Sequence, residues 1–155
     1  MRYLTSLVIF HSTLVLTNIE ALGLWKTLNG KTDNVKLAST DINNEESQFI
    51  FNTIDIDRLL VYSPEHRVKI FSKGGSLEMR GRSLHAINAA YKAQTYFDAG
   101  YILGLLLQLS TVHCTAIGLA VGGSYLRNEV IYDLKTLIIY IKEWIKELDR
   151  IYVEA

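Results

Sequence analysis

Between Asp98 and Arg127 the chain carries no Asp, Glu, Lys or Arg, and nothing else in the sequence restricts its fold as strongly. As a helix rising about 1.5 Å per residue, Tyr101 to Gly123 would reach roughly 34 Å, enough to cross a bilayer core of about 30 Å. Gly100 with Gly104 and Gly118 with Gly122 stand at the spacing that lets helix backbones approach closely. Residues 99–126 are therefore either a membrane span or the most buried helix of a folded domain. His113 lies inside this stretch, and an ionisable group at membrane depth is a functional candidate by default. The alternative for His113 is a hydrogen-bonded core histidine. Gly100, Gly104, Gly118, Gly122 and His113 are the helix-packing candidates of the sequence.

The N-terminus is the second apolar region. Met1-Arg2 precedes an uncharged run from Tyr3 to Ile19, and Ala21-Leu22-Gly23 follows with small residues at its first and third positions. A basic start, a short apolar run and a small-x-small end are the parts of a secretory signal peptide. The reading expects a signal peptide over residues 1–23, a single domain over 24–155, and a protein secreted or membrane-associated through the secretory pathway. Leu-Val-Ile-Phe and Leu-Val-Leu-Thr are also β-prone, so a buried strand or helix is the competing reading. From Leu24 to Glu46 the chain looks loop-like, with an Asn29-Gly30 turn and a polar segment from Asp41 to Glu46.

Alternation of apolar and polar residues then predicts a strand over Phe49 to Ile56. Leu59 to Tyr62 and Arg67 to Phe71 flank Ser63-Pro64-Glu65-His66, a hairpin signature, and Gly74-Gly75 marks another turn. His66 reads as a solvated turn residue. Ser83 is a fair N-cap for a helix opening at Leu84, with His85 on its surface. At the C-terminus, Val130, Leu134, Leu137, Ile141, Trp144, Leu148 and Ile151 recur at spacings of four and three. Ile131, Ile138, Ile145 and Tyr152 widen that seam into a long amphipathic helix. The fold class expected is α+β: a small antiparallel sheet over about residues 48–80, then a mainly helical half with a central apolar helix and a long amphipathic C-terminal helix.

Charge and motif content narrow the chemistry. With 16 basic and 16 acidic side chains the net charge is zero, which argues against a nucleic-acid partner. Cys114 is the single cysteine, so no internal disulfide and no zinc site of ordinary ligand spacing can be built. No phosphate loop, dinucleotide fingerprint, nucleophile elbow or His-Glu-x-x-His is present, and His11, His66, His85 and His113 share no helix face. The residues select no catalytic, cofactor-binding or metal-ligating position and imply no cofactor. They favour a non-enzymatic protein whose helices bind a membrane, an apolar ligand or a protein partner, a second copy of the chain included.

Three segments carry a family likeness. Tyr62-Ser63-Pro64-Glu65-His66-Arg67, Asp98-Ala99-Gly100-Tyr101-Ile102 and Gly118 to Gly123 resemble pieces of the nitroreductase-like flavin oxidase domains of peptide-modifying and nonribosomal peptide enzymes. In that family the middle piece opens a long buried helix and the glycine-rich piece follows it. The resemblance implies, as the alternative function, a soluble flavin oxidoreductase fragment or subunit.

Overall fold

The computed structural model describes residues 12–30, 42–63, 65–82, 90–128 and 133–153. Four strands, β1 (Thr13–Thr17), β2 (Arg58–Ser63), β3 (Arg67–Ser72) and β4 (Gly75–Arg80), form one sheet in that order. Five helices accompany them: α1 (Asn18–Leu28), α2 (Asn44–Thr53), α3 (Ala90–Leu106), α4 (Thr111–Asn128) and α5 (Leu134–Val153). The class is α+β with a mixed sheet. β2, β3 and β4 are antiparallel, but β1 runs parallel to β2, with Thr13 opposite Arg58 and Thr17 opposite Tyr62.

Both faces of the sheet are covered, and strand alternation sorts the side chains between them. Leu59, Val61 and Phe71 point one way and pack with Ala21, Leu22, Ile42 and Ile50 under α1 and α2. Leu60, Tyr62, Val68 and Ile70 point the other way and meet Phe97, Tyr101, Leu119, Tyr140 and Trp144 of α3, α4 and α5. Each large apolar side chain so buried contributes about 1.5–3 kcal/mol. β2 is buried from both sides at Leu59 to Tyr62 and reads as a continuous apolar run, whereas Lys69 interrupts β3.

The first correction concerns the N-terminal segment. Thr13–Thr17 is hydrogen-bonded into the sheet, and Ala21 and Leu22 are core residues of α1. Residues 13–22 thus stand in the fold as the buried strand and helix of the competing reading. A leader core and a buried strand have the same composition, which is why the sequence misled. Met1 to His11 lie outside the described residues, as do His85, the Ser83 cap, Pro64 and residues 31–41.

The second correction concerns residues 99–126, which are not one rod. The chain turns at Leu107–Ser110: Gln108 takes φ 56°, its N–H donates to the Leu105 carbonyl at 2.9 Å, and Leu109 N–H donates to the Gly104 carbonyl at 3.1 Å. Ser110 then opens α4, its hydroxyl accepting from the His113 N–H at 3.4 Å. The result is a pair of packed helices, 17 and 18 residues long. Among the described residues no helix is long and apolar enough to cross a membrane.

A third difference lies at Phe49 to Ile56, expected as a strand. Asn43 and Glu46 form a reciprocal capping box, Asn43 Oδ1 accepting from Glu46 N–H at 2.8 Å and Glu46 accepting from Asn43 N–H at 2.9 Å. Those paired bonds nucleate α2, which buries Ser47 and Ile50, three residues apart on one helix face, and leaves Phe49 exposed. The C-terminal helix α5 packs through Leu137, Tyr140, Ile141 and Trp144, while Ile138 and Ile145 of the second row are exposed.

Candidate functional site

The small-residue candidates sit where α3 crosses α4. A Cβ on Gly100 would lie 2.9 Å from Gly118 Cα, one on Gly104 2.8 Å from Cys114 Cα, and one on Gly118 2.7 Å from the Phe97 ring. On Gly122 it would stand 3.0 Å from the Ala93 carbonyl. These four glycines position α3 and α4 against each other; none offers a functional group. His113 is exposed on the first turn of α4, hydrogen-bonded through Nδ1 to the Ser110 hydroxyl at 2.9 Å. It borders a shallow apolar groove with Ala116, Ile117, Ile141 and Trp144, apart from the glycine crossing. Cys114 is buried at that crossing, and desolvation raises its pKa, the reverse of an activated thiol.

The chemistry gathers elsewhere, at the carboxyl ends of the two parallel strands. In sheets with parallel strands this is where ligands bind, because the helices that follow the strands open a crevice there. Thr17 ends β1 and caps α1, its hydroxyl accepting from Glu20 N–H at 3.2 Å. The Glu20 carboxylate returns to the Thr17 N–H at 2.8 Å and its hydroxyl at 2.9 Å. These bonds, with a smaller one from the Gln94 side chain of α3, hold the Glu20 pKa below its ordinary value. The amino end of α1 is thereby occupied by the chain's own carboxylate and is closed to a phosphate.

One turn along α3 from Gln94 stands Asp98, and its environment acts in the opposite sense. Burial raises its pKa, and the nearby negative charge of Glu20 raises it further. Asp98 Oδ1 is buried and has no hydrogen-bond partner among the described residues. Tyr62, opposite Thr17 in the sheet, lies near enough for Asp98 to act on its phenol, which burial, then Tyr140, then Asp98 push above its usual value. Two neighbouring carboxylates whose environments drive their pKa values apart make an acid–base arrangement: Glu20 fixed as an anion, Asp98 free to take a proton. Sequence reading missed both. The Thr17-x-x-Glu20 signature of a capping box was present, but nothing local joins Glu20 to Asp98.

His66 is a second departure from expectation. It is buried, not solvated, and takes φ 58° in the β2–β3 turn. Its Nε2 lies 2.9 Å from the Leu119 carbonyl and its Nδ1 2.9 Å from the Tyr62 hydroxyl. A carbonyl only accepts, so Nε2 carries the proton and Nδ1 accepts from Tyr62. The ring fits because its neighbours lack side chains: a Cβ on Gly81 would fall 2.0 Å from Cδ2, and one on Gly123 2.5 Å from Nε2. His66 thus pins the sheet to α4 and orients the Tyr62 phenol at the edge of the carboxylate site.

On the far face, the end of β2 borders a cavity of about 100 Å³ lined by Asn18, Ser63, Arg67, Lys69 and Glu78. Arg67 is paired with Glu65 and Glu78, so this cavity is not a net cationic cradle.

No protein-family model matches the sequence, and no curated protein matches it. Solved structures do. The chain is similar to ribokinase from Thermotoga maritima, with TM-score 0.69 and 12 % identity over 84 % of this chain and 42 % of that one. It is similar to phosphofructokinase-2 from Escherichia coli, with TM-score 0.60 and 11 % identity over 86 % of this chain and 41 % of that one. Against adenosine kinase from Anopheles gambiae the TM-score is 0.56 and the identity 18 %, over 76 % of this chain and 35 % of that one. None of these neighbours is a nitroreductase-like flavin oxidase, which corrects the resemblance drawn from the three short segments. The same neighbours count against a non-enzymatic secretory role and against the flavin alternative. The chain spans less than half the length of these kinases, and at this identity the likeness shows a shared fold.

Proposed function

We propose that this chain forms part of a kinase-like site that transfers a phosphoryl group to a hydroxyl of a small sugar, polyol or nucleoside, with Asp98 as the base. The observation that carries the reading is the buried, unpartnered Oδ1 of Asp98 at the carboxyl ends of β1 and β2, in a fold shared with ribokinase, phosphofructokinase-2 and adenosine kinase. Phosphoryl transfer needs little covalent help from protein beyond an oriented acceptor and a group that takes the hydroxyl proton. Asp98 suits that task because desolvation and the Glu20 charge bring its pKa nearer to working pH. Glu20, anchored on Thr17, keeps that charge in place, and Gln94 reaches the same carboxylate. Since α1 binds its own carboxylate, its amino end is not where the phosphate is held.

The test is turnover of ATP with ribose, fructose 6-phosphate, myo-inositol and adenosine, read as ADP release and as a new phosphate ester by phosphorus NMR. Asp98→Asn should lower the rate by about 10²–10⁴-fold, the range for loss of a general base. Equal turnover by Asp98→Asn refutes the assignment of the base. Failure of the chain to bind either nucleotide or acceptor refutes the reading as a whole.

A further inference from the structure

Two tyrosine rings are pressed face to face where α3 and α4 meet. Tyr96 and Tyr125 have ring centroids 4.0 Å apart and planes 18° from parallel. Aromatic pairs ordinarily settle at about 4.5–7 Å between centroids, offset or edge to face. The contacts of Tyr62 with Phe97 and of Phe97 with Tyr101, at 5.3 and 6.0 Å, follow that rule, and the Tyr96–Tyr125 stack is closer. The glycine crossing accounts for it. Tyr96 stands four residues before Gly100, and Tyr125 three residues after Gly122, so each ring continues the small-residue stripe of its own helix. A Cβ on Gly100 would fall 2.9 Å from Gly118 Cα, and one on Gly122 3.0 Å from the Ala93 carbonyl, so the backbones touch and the rings beyond them are pushed together. Both rings are half-buried, whereas Tyr62, Tyr101 and Tyr140 are enclosed.

We infer that Tyr96 and Tyr125 form a modification site, the pair that a one-electron oxidant couples into a dityrosine bridge between α3 and α4. The co-reactant is hydrogen peroxide, acting through a peroxidase. Each phenol gives up one electron and one proton, which leaves a phenoxyl radical with spin on the carbons ortho to oxygen. One ortho carbon of each ring joins in a new carbon–carbon bond. The hydrogen on each of those carbons then leaves as a proton, and a proton returns to each phenolic oxygen. Two tyrosines and one peroxide thus give one biphenol and two waters, the peroxide taking both electrons.

Stacking favours this pair in two ways. A positive hole shared between parallel rings is more stable than one on a lone ring, so the electron leaves there first. The coupling partner is already in place, so the bond forms within one chain and needs no encounter between chains. The bridge ties α3 to α4 two residues from Asp98, and it restrains the unfolded chain as a disulfide does.

The test treats the whole chain, dilute, with hydrogen peroxide and a peroxidase. The product should keep the mass of one chain less two hydrogen atoms and show the blue fluorescence of a biphenol. No Lys or Arg lies between Lys92 and Arg127, so trypsin releases both tyrosines in one peptide. Cutting that peptide after its leucines should leave the segments holding Tyr96 and Tyr125 joined. The thermal midpoint of the bridged chain should rise by roughly 10 °C. Tyr96→Phe and Tyr125→Phe each keep a ring in the stack and remove a phenol, and each should abolish the bridge with far-ultraviolet circular dichroism unchanged. Bridges between chains only, a bridge through Tyr101 instead, or a yield indifferent to both substitutions overturns the inference. So does a chain left uncoupled in a reaction where added N-acetyltyrosine couples. These readouts are mass, fluorescence and melting, so they stand or fall separately from any phosphoryl-transfer assay.

Discussion

Lowering the pH from 7 toward 4 should withdraw about 3 kcal/mol of stability through His66 alone. Its pKa is pushed from 6.5 down to about 4, chiefly because burial disfavours the imidazolium, with the Leu119 carbonyl opposing more weakly. The folded pKa lies below the unfolded one, so between pH 6.5 and about 4 the unfolded chain takes a proton that the folded chain refuses. The stability is fully present above the unfolded value and is lost as pH falls to the folded one. That gap, at about 1.4 kcal/mol for each pH unit, corresponds to roughly 3 kcal/mol. The geometry gives the proton nowhere to be solvated: Nε2 is committed to Leu119, Nδ1 to Tyr62, and the ring is wedged between Gly81 and Gly123. The assay is urea unfolding at a series of pH values, compared with His66→Asn. Asparagine tolerates positive φ and does not titrate here. The variant should be less stable at pH 7, since Tyr62 and Leu119 lose their partner, and the difference should shrink as pH approaches 4. Parallel curves, with the wild-type advantage undiminished at low pH, would refute the reasoning.

Four further outcomes are expected. Asp98→Asn should raise thermal stability at pH 7, because a carboxyl whose folded pKa is raised contributes stability at low pH that is lost as pH rises; calorimetry should show the gain vanishing below pH 3.8. Gly118→Ala should cost about 1–3 kcal/mol by forcing Phe97 from its place. Gly23→Ala, with nothing near its Cβ on the exposed side of α1, should stabilise by about 0.5–1 kcal/mol in the same denaturant assay. Arg82→Ala should cost roughly 1–2 kcal/mol and loosen α5, since Arg82 binds Glu143 and Glu147 and lies 6.0 Å from the Tyr140 ring centre; amide exchange along α5 reads the effect.

How far the sequence could be read depended on whether the deciding interaction was local. The β2–β3 hairpin was legible because both strands and the turn residues lie within a few positions of one another. β1 was not, because its partner is Arg58 to Tyr62 and a strand buried between layers has the composition of a leader. The uncharged stretch was misread for a related reason. Only part of it is buried against the sheet and the neighbouring helix, and the break rests on Gln108 at positive φ and Ser110 as a cap. Leu106 and Leu107, at the tip, are 76 % and 60 % exposed, so apolar composition alone did not mark the interior. His66 looked solvated beside Glu65 and Arg67, and only the approach of α4 and two glycines buries it.

The carboxylate site follows from the same division of α3. Its later half carries no charge and packs inward only through Gly100, Tyr101 and Gly104, whereas Asp98 is the last charge before that run, held over the strand ends by Phe97 and Tyr101 on either side. Packing therefore dictates where the carboxylate sits, and burial withholds the partner that would lower its pKa. A side chain chosen for stability at that position would be amide or apolar, since an ionised group deprived of hydrogen bonds weakens the folded state. Glu20 makes the position less favourable still, and it is fixed by a cap that would serve α1 equally well with a glutamine. Two carboxylates placed where neither stabilises the other are the ground on which the proposal of Asp98 as base rests.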